Sequence, residues 1–372
     1  MPDDARPAFH PPRPAGDAAE RLARLRLHRS PRIGPVSWRR LMAEHGSAVA
    51  ALAALPGRAA VAGDPGYRPC PEAAARKEGR AARAAGARLV TLGDPDFPPA
   101  LAELPDAAPV LWLQGDAALL AGPAVAVVGT RNASSLALRM ARALGRDLAS
   151  AGIAVVSGLA RGVDAAAHEA ALPRTVAVHA GGLDRPYPAE NAGLAARIAA
   201  EGCALSALPF GLAPRARDFP RRNRVVAGLA RAVVVVEAAA RSGSMITARD
   251  ALDLGRDVLA VPGHPMDGRA AGCLLLLREG ATLVRGADDV LEALDAAPRA
   301  ASEPAPPPPA PPAAAPDDLA ERAAALLSAS PVGEEALARD LGVDPARLAP
   351  ALSELELAGR LLRRPGGAVA LP

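Results

Sequence analysis

Aromatic side chains are scarce in this chain: two Trp, two Tyr and four Phe among 372 residues. An aromatic residue outside an apolar run therefore stands out. Cysteine is scarcer still. Cys70, Cys203 and Cys273 are odd in number, widely spaced and without a C-x-x-C pair. That pattern argues against a disulfide framework or a zinc site and fits a reducing cytosol. No metal and no cofactor are expected. Lysine is almost missing, because Lys77 alone represents it and arginine supplies the remaining basic charge. Abundant Ala, Arg and Pro fit a GC-rich coding sequence, so a formal net charge of +3 decides little by itself. Clustering has to decide what the arginines do. No apolar run is long enough to span a bilayer. The opening "MPDDARPAFHPPRPAGD" has no apolar signal core. A soluble, cytoplasmic protein without a membrane span is expected.

Five regions follow from composition and periodicity. Residues 1–17 read as a disordered tail, and residues 18–64 as a small helical domain with a turn at Gly34-Pro35. That domain either only packs or grips phosphates through amides at helix starts. From 65 to 296, short apolar strands alternate with amphipathic helices. The strands are "ARLVTL", "PVLWLQG", "AVAVVG", "GIAVVSG", "RTVAVHAGG", "AVVVVEA", "DVLAVPG" and "ATLV". Apolar strands alternating with helices predict an α/β fold: a Rossmann-like, doubly wound, mostly parallel sheet covered on both faces. Residues 297–316 are a Pro/Ala-rich linker, expected to be extended. Residues 317–372 read as three helices and a hairpin, a winged helix, with Asp344 capping the third helix and Pro345 at its first position. The turn of the hairpin is placed at Pro365-Gly366-Gly367.

In such a sheet, ligands bind beyond the carboxyl ends of the strands. The first candidate loop follows "VAVVG", at Gly129, Thr130, Arg131 and Ser134. A dinucleotide fingerprint would place glycine where Arg131 stands, and no acid ends the next strand to hold a ribose. Arg131 offers instead a fork able to hold a phosphate. The alternative is that Gly129 makes the turn and Arg131 is merely solvated. The second loop supplies Ser157, Gly158, Arg161 and Gly162, and a later one Ser242, Gly243, Ser244 and Thr247. Small residues admit backbone amides to an anion, and the hydroxyls add donors. Most telling is "APRARDFPRRNRVVAGLA". Arg215, Arg217, Arg221, Arg222 and Arg224 crowd ten residues around Phe219 and Asn223, opposed by Asp218 alone. Basic groups neutralise phosphates and an aromatic ring stacks a base, so the segment reads as a nucleic-acid groove or as a solvated loop pinned by Phe219. Asp164 reads as a helix cap rather than an acid, and His168 has no catalytic array around it. No catalytic residue is assigned and an enzyme is not expected. In the C-terminal domain only Arg360, Arg363 and Arg364, at the wing, are clearly basic, which disfavours sequence-specific duplex reading.

"VAVVGTRNAS", "VVSGLARGVDAAAHEAAL", "VHAGGLDRPYPAEN", "FPRRNRVVAGLA", "VVVVEAAARSGSMITARDAL" and "VLAVPG" occur in that order. From about Ala87 to Leu294 the chain closely resembles the DNA-processing protein A family (DprA or Smf). Its helical N-terminal region resembles the SAM-like or helix-hairpin-helix-like segment of that family, and its tail the family's winged helix. The resemblance implies binding of single-stranded DNA without strong sequence preference. It also implies protection of that DNA, help in loading the RecA recombinase during natural transformation or recombination, and self-association as a homodimer. Contact with a single-stranded-DNA-binding protein is a further implied partnership. Arg131 matches the arginine of the family's G-S-R loop, Arg222-Asn223-Arg224 its R-N-R, and Phe219 the aromatic before it. Two departures matter. Thr130 replaces a serine, and "SALPFG" has Ala207 and Leu208 where an acid usually follows the serine, which makes that rim less negative. The alternative is a nucleotide-processing enzyme of the phosphoribohydrolase type, but "VEAAARSGSMITARDAL" lacks that family's P-G-G-x-G-T loop and glutamate.

Overall fold

The computed structural model describes residues 12–296, 319–327, 332–364 and 368–370. The linker expected at 297–316, residues 1–11 of the expected tail and the turn at 365–367 lie outside the described residues. The chain divides into two compact units, Met1–Ala301 and Ser302–Pro372.

The first unit opens with α1 (Ala18–Arg29), α2 (Pro35–His45), α3 (Ala48–Val61) and α4 (Glu72–Ala84). Local chemistry sets their starts: Asp17 caps α1 by accepting from the Glu20 amide, and Ser47 caps α3 by accepting from Ala50. Pro35 stands at the first position of α2. The sheet region then runs β1 (Arg88–Thr91), α5 (Pro99–Ala102), β2 (Val110–Gly115), β3 (Ala124–Val128) and α6 (Ser135–Ser150). It continues with β4 (Ala154–Ser157), α7 (Val163–Ala171), β5 (Thr175–Val178), α8 (Ala192–Glu201) and β6 (Cys203–Ser206). Last come α9 (Asp218–Leu229), β7 (Ala232–Val235), α10 (Gly243–Asp253), β8 (Asp257–Ala260), α11 (Ala271–Arg278), β9 (Thr282–Leu283) and α12 (Ala287–Ala296).

The strands form one sheet in the order β1-β2-β6-β5-β4-β3-β7-β8-β9. Pairing is parallel from β6 to β9 and antiparallel at β1/β2 and β2/β6, so the expected mostly parallel α/β sheet is present. The sequence reading passes over β6. Its four residues, "CALS", are too short and too poor in β-branched side chains to announce a strand, and pairing on both sides creates it. Both faces of the central strands are buried. Val125 and Val127 join one core with Leu144, Leu148 and Val290, on the α6, α7 and α12 side. Ala126 and Val128 join another that reaches Trp38, Leu41 and Leu52 of α2 and α3. Alternate residues thus serve opposite faces, as the pleat requires. The N-terminal helices share a core with the sheet. Arg24 fastens them, donating to Thr91 Oγ and to the Leu92 carbonyl at 3.1 Å each.

The second unit contains α13 (Leu319–Leu326), β10 (Val332–Gly333), α14 (Glu334–Leu341), α15 (Pro345–Leu357), β11 (Leu362–Arg364) and β12 (Ala368–Ala370). Three helices and a sheet ordered β10-β12-β11 make the expected winged helix around Leu337, Leu348, Leu352 and Val369. Asp344 caps α15, accepting from the Ala346 amide at 2.8 Å. Wing arginines are paired: Arg360 with Glu321, and Arg363 with Glu334 and Glu356.

Candidate nucleic-acid interface

The loops after β3, β4 and β5 open beyond the carboxyl ends of their strands. Together with the start of α9 they enclose a cleft of about 370 Å³. Its lining includes Arg131, Asn132, Gly158, Arg161, Tyr187, Phe219 and Arg222. Arg222 is only 8% exposed. Its Nη1 lies 3.9 Å from Asp164 Oδ2, and its Nε has no hydrogen-bond partner among the described residues. The Asp164 carboxylate also accepts from the amides of Gly158 at 3.1 Å and Ala160 at 3.3 Å. Burial pushes the Asp164 carboxyl up, while Arg222 and those amides pull it back. Burial likewise pushes Arg222 down; Asp164 opposes that and Arg131 reinforces it. A cation held at the edge of the ion-pair range, with a donor left over, favours a further anion in the cleft.

Two glycines make this arrangement possible. A Cβ on Gly158 would sit 1.1 Å from Arg222 Nη1, so only glycine leaves room for the guanidinium there. Gly162 has φ +72°, and a Cβ there would meet the Thr130 carbonyl oxygen at 2.4 Å. Between them Leu159 adopts φ +59°, an unfavourable conformation for a branched residue, with its carbonyl accepting from Asn191 Nδ2 at 2.9 Å. The β4–α7 loop is therefore held in one shape by its neighbours.

Aromatic groups form one wall. The Arg131 guanidinium lies over the Phe219 ring, 5.4 Å from its centroid. Tyr187 meets Phe219 edge-on at 5.5 Å and is half exposed. A cation and two rings thus stand at the mouth of a cleft whose floor is a buried cation. Phosphate neutralisation and base stacking are the chemistry this set can perform.

The structure brings Arg131, Gly158, Arg161, Phe219 and Arg222 together, with Gly129, Thr130 and Gly162 shaping the adjoining backbone. Arg161 pairs with Glu190 on the rim. Arg215 and Arg217 are exposed just before α9 and have no ion pair among the described residues. Other candidates stand elsewhere. Ser157 is fully buried and its hydroxyl donates to the Val127 carbonyl at 2.7 Å, so it is not the free donor expected. Arg224, expected in the same groove, pairs instead with Asp106 at 2.7 Å and Asp250 at 3.7 Å. Two residues along α9 from Arg222, it points to another side, because a helix turns about 100° per residue. Asn223 donates to the Gly243 carbonyl at 3.3 Å. Ser242 and Ser244 bond each other at 2.8 Å, and Thr247 is buried in α10. Neither these residues nor Gly243 line the cleft. The expected cap is also corrected: α7 is capped by Gly162, and Asp164 lies inside the first turn beneath Arg222.

The reason the first loop is not a free phosphate cradle is Glu237, just past β7. Its carboxylate accepts from the Ser134 amide at 2.9 Å and its carbonyl from Thr130 at 2.7 Å. An internal anion thus occupies the start of α6, where Ser134 Oγ also caps Ala137. The open cleft lies instead above β3, β4 and β5. Sequence reasoning missed Glu237, Tyr187 and the role of Asp164. An acid closing a strand opposite a helix start, and one of only two tyrosines, were the available signals. Glu237→Ala is expected to cost about 1 kcal/mol of stability by orphaning a half-buried amide, and Glu237→Gln less. Chemical denaturation checks this; an unchanged midpoint in Glu237→Ala would refute the assigned role.

Among known proteins, the family described as DNA recombination-mediator protein A matches residues 88–295. A DprA-like N-terminal HHH domain matches residues 18–81 and a DprA winged helix domain residues 306–367. Protein Smf of Synechocystis sp. is 42% identical over 218 residues, 57% of this chain and 55% of the relative. The chain thus spans about half the length of that relative. The structure of DNA processing protein A from Streptococcus pneumoniae matches with TM-score 0.56 and 40% identity, covering 60% of this chain and 77% of that one. DNA processing protein A from Helicobacter pylori, whose structure describes a single-stranded DNA binding mode, matches with TM-score 0.52 and 32% identity, over 56% of this chain and 95% of that one. With a family match over more than half its length and the same three-part organisation, the chain belongs to the DNA recombination-mediator protein A (DprA/Smf) family.

Proposed function

We propose that this chain binds single-stranded DNA without strong sequence preference in the cleft between Arg131, Phe219 and Arg222. It protects the strand and helps load the RecA recombinase during natural transformation or recombination. It acts by binding and not as an enzyme, in the cytoplasm, as a homodimer that also meets a single-stranded-DNA-binding protein. The observation that carries the reading is Arg222. A largely buried guanidinium lining a cleft walled by Arg131 on Phe219 is a site for a phosphate with a stacked base. The single-stranded DNA binding mode described for the Helicobacter pylori relative supports the same ligand.

Fluorescence anisotropy with labelled oligo(dT) and a matched duplex tests the reading. Oligo(dT) should bind more tightly, with log affinity falling by about 0.7 per log unit of salt for each phosphate contacted. Phe219→Ala should lose roughly 5- to 150-fold, the range expected when one base loses a stacking platform. Arg131→Ala should weaken binding to every sequence alike. Equal affinity for duplex, or unchanged oligo(dT) affinity in both variants, would overturn the site. Displacement of a single-stranded-DNA-binding protein by RecA, with and without this chain, tests the loading step. Turnover of nucleoside monophosphates to free base would instead favour the phosphoribohydrolase reading.

A further inference from the structure

A second cavity, of about 650 Å³, lies where α2 meets the sheet region, on the other side of Arg222 from the cleft. Its size falls in the range of small-molecule sites. The floor is apolar, with Leu101, Leu104, Val178 and Leu208. Above it comes the start of α2, at Gly34 and Pro35. This helix has eleven residues, no side-chain cap and no acid in its first turn, so its positive end is uncompensated. His179, 6% exposed, lines the cavity, and its Nε2 has no hydrogen-bond partner among the described residues. Arg221 adds an exposed cation that has no ion pair among the described residues.

The acids nearby are engaged. Asp106 pairs with Arg224, and Asp218 accepts from the Arg215 amide at 2.9 Å. Ala207 and Leu208 add no charge at the rim. An uncapped helix start, an orphaned imidazole nitrogen and a free arginine over an apolar floor call for an anionic head on a flat apolar body.

We propose that this junction cavity is a second binding site, for a nucleoside phosphate: the phosphate at the α2 start and Arg221, with the base on the apolar floor. The occupant is either a free nucleotide or one nucleotide of a bound strand, since both present the same chemistry. The site shares Arg222 with the cleft, but none of Arg131, Tyr187 and Phe219 lines it, so variants of those three separate the two.

Isothermal titration of the full chain with dAMP tests the proposal, with inorganic phosphate alongside. Wild type should bind dAMP more tightly than phosphate. In an Arg131→Ala background, which removes the hold of the cleft on a nucleotide, Ala107→Trp, which fills the cavity from its lining, and Arg221→Glu should each weaken dAMP at least tenfold. Absence of dAMP binding in Arg131→Ala, or unchanged affinity when Ala107→Trp and Arg221→Glu are each added to it, would overturn the proposal. Circular dichroism confirms that each variant is folded, and the surface variant Arg221→Glu keeps the test decisive where Ala107→Trp is not. Oligo(dT) anisotropy on the same samples separates the two sources. If Ala107→Trp also weakens oligo(dT), a strand nucleotide occupies the cavity; if it does not, the ligand is a free nucleotide. A chain that binds dAMP at the junction but no oligo(dT) overturns only the cleft reading, and the reverse overturns only the junction site.

Discussion

Gly158→Ala is expected to lower oligo(dT) affinity roughly 30- to 150-fold while leaving the protein folded. The added Cβ would stand 1.1 Å from Arg222 Nη1 and 2.1 Å from Cζ, so the guanidinium has to leave its slot. A side-chain end can yield where backbone cannot, which is why the fold should survive. Displacement takes the cation from the cleft floor and from Asp164, and a charge-assisted hydrogen bond of about 2–3 kcal/mol is lost with it. The mechanism has its own check. If Gly158 acts through Arg222, Gly158→Ala combined with Arg222→Ala should bind no worse than Arg222→Ala alone. Wild-type affinity in Gly158→Ala, or full additivity in the pair, would show that Arg222 does not hold the strand.

Acid is expected to destabilise the first unit through its buried histidines. His168 is fully buried, and its Nδ1 lies 2.6 Å from Thr175 Oγ. That hydroxyl donates to the Val155 carbonyl at 2.8 Å, so it accepts from Nδ1–H, and neutral His168 carries its proton there. Burial, with His179 and Arg222 nearby, pushes His168 down to about 3, and burial with Arg222 pushes His179 down to about 4. A group whose folded value is depressed contributes stability above its unfolded value, near 6.5, and loses it as pH falls toward the folded value. Between pH 7.5 and 5 each histidine should withdraw about 2 kcal/mol. Asp164 opposes this: burial raises its folded value, so its contribution is present at low pH and lost as pH rises. Urea midpoints at the two pH values measure the net effect. His28, pushed down to about 3 by burial and by Arg29, adds to the same dependence, so His168→Asn, which retains a donor toward Thr175, should flatten it by about a third. Identical pH dependence in wild type and His168→Asn would show that this imidazole is not buried neutral.

Much of the architecture was legible because it rests on local chemistry and repeated pattern. Runs such as "AVAVV" and "AVVVV" can be satisfied only with both faces covered, so a parallel sheet between helices follows from them. Asp344-Pro345 announces the start of a helix for reasons contained in its own backbone. Arginines around a lone Phe219 marked the α9 segment because that composition is unusual for this chain. Strand β6 was not legible, because four residues without a β-branched side chain become a strand only when partners flank them.

Which arginine serves the cleft was decided in three dimensions. Arg222 and Arg224 are equivalent in sequence, yet one is buried against Asp164 and the other is held by Asp106, 118 residues away along the chain. Gly129-Thr130-Arg131 looked like a phosphate cradle until Glu237, from a distant strand, proved to occupy the helix start. The sequence by itself determined the fold class, the three-part organisation and the kinds of side chain that would meet a nucleic acid. The tertiary structure alone decided which charges are already compensated and which are left over. Compensation depends on distance and burial, and neither can be read from the order of residues when the partners lie more than a hundred positions apart.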